Sequence, residues 1–306
     1  MPQKRKARKN GTSPLFPLVA VVAAIVAGCA LLGPRHGHMP TEGTAKTSNS
    51  QPIVTAAPRL QSPPAASARG DNSLPAASPS FTPPASGNAR LAIIIDDCGQ
   101  WISTERGFVA LPIPLTMSVL PDVPYTSTIQ QEAANAGKGV MLHLPMETVS
   151  GLNPGPGKVT TEMSDAAIQA QVTSDLAQVP LAQGVNNHEG SKASADTRVM
   201  RDVTQVLAQH GDLFFIDSRT ASNSVGEQVA ADAGLPTAGR DVFLDNQETV
   251  AYTEGALRDA AAIAKRTGSA IAIGHPRATT LEAVRAMIPE LQSEGITFVL
   301  VRNLTH

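Results

Sequence analysis

Aromatic residues are scarce: Phe, Tyr and Trp make up 3% of the 306 residues, and Trp101 is the only Trp. That shortage argues against a surface that grips sugars by stacking them on several rings. Cysteine is scarcer still, with Cys29 inside an apolar N-terminal run and Cys98 far beyond it. A disulfide between them would tie a membrane-type segment to a folded core, so the fold does not rest on disulfides and Cys98 reads as a small buried residue. Charge is unevenly spread: nine of the 24 Lys and Arg but only two of the 26 acidic residues precede Arg90, so the remaining 217 residues carry about −9. Nucleic-acid binding needs clustered Lys and Arg to neutralise phosphates, and this composition excludes it.

What is present begins with a basic cluster, "KRKARK" (Lys4 to Lys9), ahead of an uncharged apolar run of 19 residues from Leu15 to Gly33. That is long enough to span a bilayer as a helix, and the basic flank places the N-terminus in the cytoplasm. Residues 1–33 are therefore expected to be a cytoplasmic tail and signal anchor in the bacterial inner membrane, with the rest in the periplasm or otherwise outside the cytoplasm. Two rivals stay open: a lipoprotein modified at Cys29, from the lipobox-like "VAGC", and a secreted form released by signal cleavage. The apolar "ALLG" that continues past Cys29 speaks against the lipoprotein. Residues 34–89 are Pro, Ala, Ser and Thr with few large apolar side chains, which cannot bury enough surface to offset ordering entropy. They form a disordered tether, and residues 90–306 are the folded domain.

Beyond Arg90 short apolar runs alternate with longer amphipathic stretches. Strands are expected at 91–95, 115–120, 139–144, 182–186, 212–217, 270–274 and 297–301, with a weaker one near 235–238. Helices are expected at 125–136, 165–178, 196–209, 222–233, 251–267 and 279–294, several stopped by Gly. Such alternation means an α/β fold around a mainly parallel sheet, open or closed into a barrel.

In α/β folds functional groups collect where strands end. "LAIIIDDCG" ends a buried strand on Asp96 and Asp97; "GVMLHLPME" supplies His143 and Glu147; "GVNNHEGS" supplies Asn186, Asn187, His188 and Ser191; "LFFIDSRT" supplies Asp217 and Arg219; "AIAIGHP" supplies His275. Carboxylates and imidazoles on one rim suit a divalent metal such as zinc, one Asp ligating while its neighbour takes a proton from bound water. Each residue also has a plainer reading: a helix N-cap for either Asp, a core His at 143, turn-ordering roles for His188 and His275, an Asp217–Arg219 ion pair, and lid or core packing for Trp101.

Taken in order, these segments with "PLTMSVLP" and "RDVFLDN" resemble the divergent polysaccharide deacetylases, a branch of the NodB-type carbohydrate esterase superfamily. The resemblance spans nearly all of residues 91–300 and implies a deformed (β/α) barrel of about seven parallel strands. It implies Asp96 as general base, Asp97 and His143 as metal ligands, and His275 as general acid. Glu147 stands where the superfamily has a second metal-binding His, and "NNHEGS" replaces its Arg-Pro motif. The ligand set it leaves is Asp97, His143 and His188, with Glu147 as substitute.

The expected activity is zinc-dependent deacetylation of an N-acetylated or O-acetylated cell-envelope polysaccharide, with Asp217 orienting His275 and with Asn187, Ser191, Arg219 and Trp101 touching substrate. The alternative is a catalytically silent carbohydrate-binding or envelope scaffolding domain using the same rim. A third reading keeps the metal but changes the bond to a glycan ester or a glycosidic linkage. Adjacent strand residues usually point to opposite sides, so Asp96 and Asp97 are not an obvious glycosidase pair.

Overall fold

The computed structural model describes residues 89–306. The basic cluster, the apolar run with Cys29 and the tether up to residue 88 lie outside the described residues. Among the described residues, no helix is long and apolar enough to cross a membrane.

In chain order the elements are β1 (Ala89–Cys98), α1 (Ile102–Val109), β2 (Thr116–Val119), α2 (Thr126–Asn135), β3 (Gly139–Met146), α3 (Asp165–Gln178), β4 (Gly184–Glu189), α4 (Thr197–Gln209), β5 (Phe214–Asp217), α5 (Gly226–Asp232), β6 (Thr237–Gly239), β7 (Val242–Phe243), α6 (Val250–Thr267), β8 (Ser269–Gly274), α7 (Ala278–Ser293) and β9 (Ile296–Val299). The strands pair in parallel in the order β6-β5-β4-β3-β2-β1-β8-β7. β9 joins the lower half of β1, pairing Ala89 to Ala92, while β2 pairs the upper half from Ile94 onward.

The two ends of this sheet, β6 and β7, are consecutive in the chain. Arg240 and Asp241 between them close the barrel: Arg240 N–H donates to Asp217 O on β5 at 3.0 Å, and Asp241 N–H donates to Ile271 O on β8 at 2.9 Å. Closure through a two-residue link rather than a full ladder is what deforms the barrel, and it is the deformed (β/α) barrel that the resemblance implied.

Side chains of a strand alternate between faces. Leu91, Ile93 and Ile95 pack outward against the helices with Met117, Val119 and Leu142. Ala92 and Ile94 point inward with Met141, Phe214, Ile216 and Ile273, and Val301 and Leu304 join this inner cluster. Each fully buried Ile contributes about 1.5–3 kcal/mol. The helices follow from local rules as well. α6 starts at Thr249, whose hydroxyl accepts the Tyr252 N–H, and stops at Gly268 in a left-handed conformation with φ 94°. Its buried stripe of Ala256, Leu257, Ala260, Ala261 and Ala264 is small, so it lies close on β1 and β8.

The sheet has nine strands rather than about seven, the short β7 being unexpected, and three further expectations shift. The segment after Trp101, left as loop, is helix α1; it is short and its N-cap has no side-chain hydrogen bond, so the usual start signal is missing. β4 runs to Glu189 rather than stopping at 186, so Asn187 and His188 belong to the strand. The helix expected at 222–233 begins only at Gly226.

Candidate metal centre

Asp96 shares the inward face of Ala92 and Ile94. Alternation would send Asp97 into the helix layer, but its backbone is left-handed, with φ 56°, and the β1–β2 register slips between Ile95 and Cys98. Asp is among the few residues that enter this region, at a cost of about 1–2 kcal/mol. The bend brings both carboxylates to one imidazole: His143 Nε2 lies 3.6 Å from Asp96 Oδ2 and 3.2 Å from Asp97 Oδ1. Glu105 fixes the turn from below. It is fully buried, and its Oε1 accepts the N–H groups of Gly99, Gln100 and Trp101 at 2.9, 3.0 and 2.7 Å. The sequence reading missed Glu105 because its helix went unrecognised.

His188, on the inward face of β4, completes a triangle. Its Nδ1 lies 2.8 Å from Asp97 Oδ1 and 3.1 Å from His143 Nε2. Donor atoms around a tetrahedral zinc, with bonds of about 2.0–2.2 Å, are about 3.3–3.6 Å apart, so this triangle is of metal-site scale. Asp97 Oδ1 is buried and accepts no hydrogen bond of good geometry from the described residues, as expected of an atom whose partner is a cation. Asp97, His143 and His188 could hold a metal ion, and they are the ligand set expected from the sequence. Burial opposes charge on Asp97, but the contacts with His143 and His188 hold its carboxyl far below the ordinary range. Burial has the opposite outcome at Asp96, where it raises the pKa despite the nearby imidazoles and a hydrogen bond from Asn186.

Asn186 sits at the middle of the network. Its Nδ2 donates to Asp96 Oδ1 at 2.9 Å and to Ser218 Oγ at 3.1 Å, and its Oδ1 meets His143 Nδ1 at 2.8 Å and Ser118 Oγ at 2.5 Å.

Across the mouth, His275 follows β8. Its ring Nδ1 is 2.9 Å from Asp245 Oδ1, and its backbone N–H donates to Asp245 Oδ2 at 2.7 Å. Burial lowers the pKa of His275, but the bond and charge of Asp245, with weaker help from Asp97 and Asp96, outweigh it and raise it to about 9. Asp97, Trp101 and His275 line one cleft of about 450 Å³, and Asp97 and His188 line a second of about 250 Å³. The centre therefore opens on two sides.

Two expected placements are corrected. Asp217 does not orient His275; Asp245 does. Asp217 shares the outward face of Phe215, and it accepts the N–H groups of Arg219 and Glu227 and the hydroxyl of Ser224. Glu147 does not join the donors either: Lys192 and Thr161 hold its carboxylate at 2.7 Å each, and the Lys192 bond is the main cause of a pKa lowered to about 2.

The expected substrate residues divide similarly. Trp101 is half exposed in the cleft wall. Asn187 is buried and binds Ser218 N–H, Glu189 O and Thr220. Arg219 pairs with Glu227 at 2.6 Å rather than with Asp217, and Ser191 Oγ accepts the Val149 N–H at 3.1 Å.

The fold and this donor cluster define an α/β barrel protein with a candidate metal site at the C-terminal ends of its strands. The sequence profile described as "Divergent polysaccharide deacetylase" matches residues 93–305, and the chain belongs to that family. It is 35% identical over 216 residues to an uncharacterised protein of Haemophilus influenzae, covering 71% of this chain and 76% of that one. It is 35% identical over 215 residues to the uncharacterised protein YibQ of Escherichia coli K12, covering 70% and 67%. The crystal structure of an uncharacterised protein from Agrobacterium tumefaciens C58 has the same fold, with TM-score 0.68 at 24% identity, over 73% of this chain and 93% of that one.

Proposed function

We propose that the chain is a metal-dependent deacetylase acting on N-acetyl, or else O-acetyl, groups of a cell-envelope polysaccharide. The observation that carries this reading is the convergence of Asp97, His143 and His188 beside a buried carboxylate that is not part of the triangle. When bound, a divalent ion, zinc by its mixed nitrogen and oxygen donors, supplies Lewis acidity toward an acyl oxygen and acidifies water. Asp96, held by Asn186, takes the proton of the attacking water. His275, held through Nδ1 by Asp245, presents Nε2 as the acid that protonates the leaving amine. Trp101 in the cleft wall contacts the glycan.

The basic cluster before the apolar run supports an anchored domain outside the cytoplasm, where acetylated envelope glycans are found. The zinc-loaded chain should release acetate from N-acetylated oligosaccharides, and Asp96→Asn should abolish release while zinc stays bound. Bound glycan without acetate release would favour the silent carbohydrate-binding domain instead.

A further inference from the structure

We infer that Asn186 is a positioning residue that sets two groups at once: its amide oxygen fixes the tautomer of the ligand His143, and its amide nitrogen aims the base Asp96. The assignment of roles to His143 and Asp96 rests on the reading above, whereas the hydrogen-bond argument does not.

Asn186 is fully buried and lies directly opposite His143 in the β3–β4 register. Its amide has a donor end and an acceptor end, and the neighbours decide which way round it sits. Asp96 Oδ1, 2.9 Å away, is an acceptor, so the NH₂ end faces it; the oxygen therefore faces His143 and Ser118. An amide oxygen only accepts. His143 must then carry a proton on Nδ1, so Nε2, which faces Asp97 Oδ1 and His188 Nδ1, is the nitrogen left for an ion. A lone pair at that nitrogen is the condition for ligation, and a hydrogen bond at the other nitrogen is how proteins impose it.

The second proton of the NH₂ group goes to Ser218 Oγ, and Ser118 supplies the second donor to the oxygen. All four hydrogen bonds open to the amide are made in a fully buried position, so the group has one orientation. Base and ligand are thereby linked through a single neutral side chain. His188 stands two residues on, facing the same way along β4, so the strand that carries the link also carries a ligand.

The test uses the full-length chain, equilibrated with zinc and labelled with ¹⁵N at histidine, with the His143 resonances assigned by comparison with His143→Gln. We expect His143 to be the Nδ1–H tautomer; an Nε2–H tautomer would overturn the inference. In Asn186→Leu, shown folded by circular dichroism and melting, zinc affinity should fall by about 10-fold to 100-fold. Unchanged zinc affinity in that folded variant would overturn it too. Asn186→Asp keeps the acceptor toward His143 and removes a donor toward Asp96, so zinc affinity should hold while turnover falls. If Asn186→Leu does not fold, the wild-type tautomer and the Asn186→Asp affinity still decide the matter. Should no glycan be deacetylated while the tautomer and affinity results hold, the proposed activity fails and the role of Asn186 toward His143 stands.

Discussion

One carboxylate, that of Asp245, holds both the ring and the backbone of His275, accepting from Nδ1 at 2.9 Å and from the backbone N–H at 2.7 Å. The pair fixes where the imidazole points and which nitrogen is free, and it raises the His275 pKa to about 9. In the proposed role of general acid His275 is competent while protonated, so activity should persist through neutral pH and fall as pH rises through about 9. Asp245→Asn should move this alkaline limb down toward the ordinary histidine range. The same shift is readable without catalysis, by NMR titration of His275. It also contributes stability that is full below the unfolded-state histidine pKa and is lost as pH rises through about 9.

Asp217 should behave as a structural residue. Its three accepted hydrogen bonds tie the loop after β5 to the start of α5, and it is 2% exposed. Asp217→Ala leaves these donors unpaired and should cost about 1–3 kcal/mol in denaturant unfolding. The zinc affinity and the His275 titration should not move. A variant of normal stability whose His275 titration is displaced would return Asp217 to its expected place.

Glu147→Gln should leave zinc binding unchanged, because the carboxylate is engaged by Lys192 and Thr161 and takes no part in the donor triangle. The measurement is a competition titration with a chelator. Weakened binding comparable to that of a ligand variant would mean that Glu147 reaches the ion.

Asp175 on α3 is fully buried, its Oδ2 has no partner among the described residues, and burial raises its pKa to about 7. Its folded pKa lies above the unfolded value of 3.8, so the folded state binds the extra proton and stability should fall as pH rises from about 4 to about 7. Asp175→Asn removes the charge without changing shape. It should be more stable than wild type at pH values above about 7, and it should lose that dependence. The packing is tight here: a Cβ at Gly157, which has φ 76°, would lie 2.6 Å from Asp175 Oδ1, so Gly157→Ala should destabilise as well.

Much of the site could be read directly from the chain. Isoleucine-rich β1 ending on two carboxylates, and histidines at the ends of β3 and β4, already named the three donors. Period-two alternation would also have corrected Asp217: in "FFID" the inward residues are Phe214 and Ile216, which leaves Asp217 facing the helices. Asp245 was harder to find. Its place beside His275 depends on β7 pairing with β8, and strand order is not written in local pattern. Asn186 was visible as a strand-end polar residue, but its role appears only once the register sets it opposite His143. The left-handed backbone at Asp97, which defeats the alternation used to argue that the two Asp point apart, leaves no mark in composition.

The central claim is a metal site built by Asp97, His143 and His188. It is tested most directly by elemental analysis of the purified full-length chain, wild type beside Asp97→Ala and His143→Ala, after equilibration with trace zinc. The account predicts about one zinc per wild-type chain and none in either variant. A folded wild-type chain without metal, or variants that keep it, would contradict the account.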